Sequence, residues 1–442
     1  MTRILLMAAA TLALAASAAA QTPAPVTTQP LGPANPPMLI QHGKVYTVGP
    51  AGTIEDGDVL IENGKIAAVG THLAVPRGAT VIDAKNKPVT PGLMASYTQL
   101  GIEEIELVNE TNDTQADQDV VSAAFDVADA INPNSTLIPI ARIAGVTRSL
   151  TAPVMGPGVF YGQAAVIDLG LGPDLVDKRH AAILVTLGPV GADLSRGTRP
   201  DTWAQFREVL DDAREYWANR SDYHKPGGSR DQRSARIDLD ALGPVIRGEE
   251  PLLVHAERAS DIRQAMRYAT ANHLKIVILG AEEGWMVAKE LADAHVPVII
   301  DTQHNLPSTF SDIGATLRNA ARMDAAGVTV TFMPESMDPA QYARTIAQVA
   351  GNAVSYGMPW DHALAAITKN PAEVWGIADR YGTLEPGKDA DAVIWDGDPL
   401  EVTSAPTAVF IKGAHIPMVS RQTMLRDRYR HLDKKGLPFA YR

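Results

Sequence analysis

A histidine and a glutamate lie two positions apart where an apolar strand is predicted to end. His255 follows the apolar run 252–254, and Glu257 comes two residues later. Side chains two apart on an extended strand point to the same side, so this imidazole and carboxylate could share one divalent cation. The alternative is that His255 is a structural histidine whose ring nitrogens are satisfied inside the core. The spacing makes the pair a candidate metal site and leaves both interpretations open.

The strand before His255 belongs to a series of short apolar strands that alternate with amphipathic helices. Such alternation implies parallel βα units, and a count of eight predicts an α/β protein with a (β/α)8 TIM-like barrel. His304 follows the seventh strand and could bind substrate at the same mouth, although a solvated loop histidine is the commoner case. The strands are predicted near Val89 and at 145–151, 164–168, 181–187, 251–256, 275–279, 296–301 and 328–333, and the helices at 203–217, 259–272, 282–294 and 313–326.

Both ends of the chain beyond the barrel are rich in short strands. An Asn63-Gly64 hairpin turn is predicted between two of them, because both residue types tolerate positive φ. These stretches predict a small β-sandwich domain that is built from residues 38–90 and 382–420 together. The barrel then covers residues 91–381, and residues 421–442 form a C-terminal tail.

The first twenty residues have the pattern of a secretory signal peptide. Arg3 precedes an apolar, alanine-rich run at 4–16, and residues 18–20 form a small-residue cleavage site. Residues 21–37, which are rich in Pro, Thr and Gln, predict an extended linker. We therefore expect a periplasmic or secreted protein that is cleaved near Ala20 and has no membrane span after signal removal.

Composition excludes some partners. The chain has 442 residues, of which 45% are hydrophobic and 20% charged, as in ordinary globular proteins. A net charge of −12 without a basic run argues against nucleic-acid binding. The chain contains no cysteine, so it has neither a disulfide framework nor a cysteine-linked lipid anchor. A small-molecule substrate or ligand is the expected partner.

Several motifs resemble the amidohydrolase superfamily, especially its imidazolonepropionase-like branch. Residues 64–70 resemble that family's N-terminal sheet, and residues 91–94 resemble the end of its first barrel strand. Residues 370–376 and 382–391 are similar to its exit from the barrel. The resemblance covers residues 38–415. It implies a hydrolase acting on carbon–nitrogen bonds, such as an amide, a cyclic imide or a dipeptide, and a homo-oligomer is expected on the same ground.

The resemblance also shows where the family's metal ligands would fall. The two first-strand histidines fall on Tyr97 and Gln99, which become candidate substrate-binding residues. The sixth-strand histidine falls near Leu279, and the bridging lysine falls near Leu184. A phenol, a carboxamide and a leucine are poor metal ligands at neutral pH. The binuclear centre of the family is therefore not expected.

The remaining positions define the candidate site. His255 occupies the position of the fifth-strand ligand, and Glu335 occupies that of the eighth-strand aspartate base. We expect both to be catalytic, unless Glu335 is a solvated loop residue. The cofactor is expected to be none or a single zinc-like ion on His255 and Glu257. The alternative function is a catalytically silent homologue that binds a ligand or an active paralogue, with the tail beyond Arg421 as a candidate contact.

Overall fold

The computed structural model describes residues 36–115, 121–194, 197–221, 234–304, 306–307, 309–335 and 338–430. The predicted signal peptide, nearly all of the linker and the end of the C-terminal tail lie outside these residues. The strands are β1 Met38–Tyr46, β2 Thr53–Glu62, β3 Lys65–Thr71, β4 Thr80–Asp83, β5 Pro88–Pro91, β6 Leu93–Thr98, β7 Val146–Thr151, β8 Phe160–Asp168, β9 Val176–Thr186, β10 Leu252–Ala256, β11 Ile276–Gly280, β12 Val298–Ile300, β13 Val330–Phe332, β14 Ala392–Trp395, β15 Pro406–Ile411 and β16 Ala414–His415.

The α-helices lie mostly between the strands of the second half. They are α1 Leu137–Ile143, α2 Pro189–Leu194, α3 Arg199–Ala218, α4 Arg236–Ala241, α5 Gly243–Ile246, α6 Ala259–Ala271, α7 Ala288–Asp293, α8 Asn319–Ala325, α9 Pro339–Tyr342, α10 Ile346–Ser355, α11 Trp360–Ala365, α12 Lys369–Val374 and α13 Arg421–Tyr429. In α6 the buried residues recur at helical spacing, so one apolar stripe faces the core; they include Ile262, Ala265, Met266 and Ala269.

The first sheet is built from strands near both ends of the chain, as the sequence predicts. Its order is β16-β15-β14-β5-β1-β2-β3, and β4 pairs with β1. Asn63 and Gly64 connect β2 to β3 with φ values of 53° and 77°, the left-handed geometry that a tight hairpin requires. Strands from opposite ends of the chain thus share one buried core, which contains Ile40, Val89 and Phe410.

The second sheet has eight strands in the order β13-β12-β11-β10-β9-β8-β7-β6. Strand β13 also contacts β6, so the sheet nearly closes into a TIM-like barrel. Alternate residues divide between two cores: Leu184, Leu253 and Leu279 fill the interior, whereas their neighbours pack against the helices outside. The α/β class and the barrel agree with the sequence-based prediction. The barrel strand predicted near Val89 was misplaced, because Val89 lies in β5 of the first sheet and the first barrel strand is β6.

One barrel strand departs from the regular parallel pattern. Strand β8 runs antiparallel to both β7 and β9. The connections at residues 152–159 and 169–175 are too short for a helical crossover, which takes about a dozen residues or more. The sequence pattern placed these strands at 164–168 and 181–187 and so missed their first residues. That error made both connections look longer than they are.

A buried arginine joins the barrel to the first sheet at the end of the barrel opposite the mouth. Arg148 on β7 is fully buried, and its guanidinium bonds to Asp389 at 2.9 Å and to Asp391 at 3.0 Å. A third carboxylate, that of Asp177, also pairs with this guanidinium. Lys65 also pairs with Asp389 and Lys412 with Asp177, so three cations face three carboxylates, and we assign the cluster a structural role. Within the described residues, no helix is both long and apolar enough to cross a lipid bilayer.

Candidate active site

His255 projects into the barrel at the mouth end of β10. Its neighbour two residues back, Leu253, pairs with Leu184 in the layer below, and His255 itself pairs with Thr186 and Leu279 on the flanking strands. The residue is only 9% exposed, and its Nδ1 lies 3.4 Å from the Thr186 hydroxyl. The register of β10 therefore presents one imidazole at the barrel mouth.

Burial keeps this imidazole uncharged. Desolvation lowers the pKa of His255 to about 4, because the low-dielectric interior disfavours the imidazolium form. At neutral pH the ring is therefore neutral, with one nitrogen able to donate a hydrogen bond and the other able to accept one.

Glu257 lies beside this ring, as its spacing predicts. Its Oε1 is 3.9 Å from His255 Nε2, which is beyond hydrogen-bond distance. The carboxyl group makes no hydrogen bond with another described residue, and its Oε2 is buried. Burial is the main cause that raises the pKa of Glu257, with Asp312 as the next contribution. The structure thus brings the two predicted residues together without pairing them.

A third polar side chain at this point was missed by the sequence analysis. Gly280 ends β11 with φ +95°, and the chain turns there so that Glu282 returns towards His255. A Cβ on Gly280 would lie 3.1 Å from Glu282 Oε2 and 3.5 Å from His255 Nε2. We call this point, bounded by Gly280, His255, Glu257 and Glu282, the Gly280 recess. The available signal was a glycine at a strand end followed by two glutamates.

Glu282 is held in an unfavourable environment for an anion. Burial raises the pKa of Glu282 to about 8, and the neighbouring Glu257 contributes to the increase. Its Oε2 is buried and has no hydrogen-bond partner among the described residues. A buried carboxyl oxygen without a partner costs stability, so its retention calls for an explanation.

The other charged groups around the recess compensate one another. His304 Nε2 lies 2.8 Å from Asp312 Oδ2, so His304 is positioned next to the mouth and engaged with an aspartate. Asp261 lies 2.9 Å from Arg258 and 3.4 Å from Arg199. The carboxylate of Glu283 accepts from two backbone N–H groups, at 3.0 and 3.1 Å. The Oε2 atoms of Glu257 and Glu282 are left without such partners.

The side chains of Tyr97 and Gln99 donate hydrogen bonds to backbone carbonyl groups. The Tyr97 hydroxyl donates to the carbonyl oxygen of Pro153 at 3.2 Å, and Gln99 Nε2 donates to that of Ala152 at 3.4 Å. Both side chains are buried. Burial raises the pKa of Tyr97 far above its ordinary value, so the phenol stays neutral. The two residues support the loop after β7, and their predicted contact with substrate stays a prediction.

The side chains present do not fit a binuclear metal centre. Leu279 lies level with His255 on β11, and Thr186, not Leu184, lies level with it on β9. Neither position supplies the imidazole or lysine that such a centre requires. Among the described residues, no three His, Asp or Glu side chains are arranged to hold a metal ion. Any hydrolysis at this site therefore depends on the chain's own side chains and not on two metal ions.

Glu335 lies three residues beyond the end of β13 and is partly exposed. It makes no hydrogen bond or ion pair with another described residue. A carboxylate that is accessible at this end of the barrel can accept a proton from water. The structure does not join Glu335 to the Gly280 recess through any contact.

Comparisons with known proteins agree with this architecture. The amidohydrolase family model matches residues 251–419. Amidohydrolase tasK of Hapsidospora irregularis is 25% identical over 85% of this chain. The match covers only 43% of the length of that relative. The imidazolonepropionase of Geobacillus kaustophilus is 27% identical, over 78% of this chain and 85% of the relative.

Two further matches extend over most of the chain. A dihydroorotase of Pelotomaculum thermopropionicum is 25% identical over 91% of this chain and 96% of its own. The crystal structure of an amidohydrolase from Thermotoga maritima superposes with a TM-score of 0.77 at 25% identity, and covers 87% of this chain and 100% of that structure.

Proposed function

Because the chain belongs to the amidohydrolase superfamily of hydrolases, we propose that it is an exported enzyme that hydrolyses a carbon–nitrogen bond without the family's binuclear metal centre. The bond belongs to an amide, a cyclic imide or a dipeptide. The N-terminal pattern of residues 1–20 supports export.

One observation carries the proposal of activity. The Gly280 recess keeps a neutral imidazole and two carboxyl groups unpaired at the mouth of the barrel. Unpaired buried polar groups lower stability, and a barrel without a ligand would gain from apolar replacements there. Their presence at the C-terminal ends of the strands, where such barrels carry their chemistry, supports a working site.

The chain's own residues supply the proposed chemistry. Glu335 would accept a proton from the attacking water, and the N–H of the neutral His255 ring would polarise the substrate carbonyl. The protonated Glu335 would then give that proton to the leaving nitrogen as the carbon–nitrogen bond breaks and the water oxygen stays on the carbonyl carbon. Glu257 and Glu282 would hold the substrate beside His255.

A second candidate is a catalytically silent homologue that binds a ligand or an active paralogue. The contacts of Tyr97 and Gln99 favour it, because both side chains are committed to backbone carbonyls where the family has metal ligands. A binding protein would keep the barrel and its recess while losing turnover.

The two candidates are separated by hydrolysis assays on the full chain, purified without a metal-affinity tag and assayed with a chelator. We expect turnover of at least one amide, cyclic imide or dipeptide, reduced about 100-fold in His255→Ala and in Glu335→Gln. Glu208→Gln, on the exposed face of α3, and His72→Asn, at an exposed position just after β3, are the matched controls. Absence of turnover across the three classes would support the silent homologue.

A further inference from the structure

Two partly exposed carboxyl groups lie at the barrel mouth. Glu257 and Glu282 bound the Gly280 recess, and neither forms an ion pair with an arginine or lysine among the described residues. His255 Nε2 lies 3.9 Å from Glu257 Oε1, beyond hydrogen-bond distance.

The nearby cations are already engaged. Arg258 donates to Asp261, and Arg199 lies close to the same aspartate while it donates to Ser311. His304 faces Asp312. None of these groups forms an ion pair with Glu257 or Glu282, and the charges of His304 and Arg199 offset only part of the effect of burial on the pKa of Glu257.

The recess opens at the barrel mouth, because Glu257 and Glu282 are both partly exposed. A Cβ on Gly280 would lie 3.1 Å from Glu282 Oε2 and 3.5 Å from His255 Nε2, so these two atoms face the same point. His255 is 9% exposed, and its Nε2 makes no hydrogen bond with a described residue. A ring nitrogen without a hydrogen-bond partner and the unpartnered Oε2 atoms of two carboxyl groups thus lie around one recess.

We propose that the Gly280 recess binds the positively charged group of the substrate, a guanidinium or a primary ammonium. This inference rests on the proposed function and names its substrate class. A group with several N–H donors matches two carboxyl groups that each offer an unpartnered oxygen, and its positive charge favours their ionised form. Water exclusion in the recess strengthens each of these charge-assisted bonds.

An organic cation fits the recess better than a metal ion. A divalent metal draws three or more ligand atoms to about 2.0–2.2 Å, and the described residues offer no such group of three. A guanidinium or ammonium bridges oxygens and nitrogens that lie farther apart, because each bond to it is about 2.7–2.9 Å long.

The test measures binding without turnover. Nα-acetylarginine amide (arginine amide) and Nα-acetylcitrulline amide (citrulline amide) have nearly the same shape, and only the first carries a charge, on its guanidinium. We expect calorimetry on the full chain, with a chelator present, to show arginine amide binding at least ~30-fold more tightly. Glu257→Gln and Glu282→Gln should each remove most of that difference, whereas Glu208→Gln should leave it unchanged.

Other outcomes would overturn the inference. Equal affinity of the two amides would do so. A second contradicting outcome would be that zinc binds, that both glutamine variants lose this zinc binding, and that arginine amide is not preferred. Because glutamine keeps the shape of glutamate, both variants should fold, which circular dichroism checks. Arginine amide binding without hydrolysis of any substrate would contradict the proposed function alone, and hydrolysis without charge preference would contradict this inference alone.

Discussion

The Tyr97 hydroxyl donates a hydrogen bond to the carbonyl oxygen of Pro153 at 3.2 Å. Tyr97 lies where the resemblance predicts a metal-binding histidine, and its phenol contacts the loop after β7. Tyr97→Phe should lower the free energy of unfolding by about 1 kcal/mol, because the carbonyl loses its partner. Urea denaturation measures the change. Hydrolysis should stay within about twofold of the original rate, and a large loss in a folded variant would mean that Tyr97 contacts the substrate.

A methyl group at position 280 would crowd Glu282 and His255 in the Gly280 recess. Gly280→Ala places a Cβ 3.1 Å from Glu282 Oε2 and 3.5 Å from His255 Nε2, and we expect hydrolysis to fall at least ~10-fold. Gly327→Ala is the matched control, because Gly327 also has positive φ, +89°, and a Cβ there meets only Ala292 at 3.9 Å. Both variants should lose about 1 kcal/mol of stability. Equal activity of the two would show that the recess takes no part in the reaction.

The fold was predictable from the sequence, because the spacing of apolar residues along the chain indicates most of the strands that form the barrel. The turn at Asn63-Gly64 and the strand ending at His255 follow from local residue chemistry in the same way. The direction of β8 was not predictable, because it depends on where β8 and β9 begin. Glu282 was missed for a related reason: its approach to His255 depends on the φ of Gly280, which a strand pattern does not encode.

The buried charge cluster opposite the mouth should be sensitive to loss of its arginine. Arg148→Met leaves the carboxylates of Asp389 and Asp391 buried without their partner, so the free energy of unfolding should fall by about 3–5 kcal/mol. Arg179→Met removes a half-exposed ion pair with Asp126 and should cost less than about 1 kcal/mol. Chemical denaturation compares the two variants, and a similar small cost for both would argue against a structural role for the cluster.

Glu250 makes stability depend on pH. It is buried with one unpartnered oxygen, and burial raises its pKa from 4.5 to about 8. Between these values the folded chain keeps a proton that the unfolded chain has released, so the contribution of Glu250 to stability falls as pH rises.

Glu250→Gln cannot ionise, so it should be more stable than the original protein at pH 8 by about 1 kcal/mol or more, with little difference near pH 4.5. Urea denaturation at several pH values measures this, with Glu208→Gln as the exposed control. Parallel pH curves for Glu250→Gln and the original protein would refute the assignment.

The central claim is that the barrel mouth has lost the binuclear centre while keeping a polar recess around His255. Elemental analysis of protein purified without a metal-affinity tag, then supplied with excess zinc, manganese or iron and dialysed, tests it most directly. We expect at most about one equivalent of metal per chain, because the ligands for a second ion are replaced by Tyr97, Gln99 and Leu279. About two equivalents, lost together in His255→Ala, would contradict the claim.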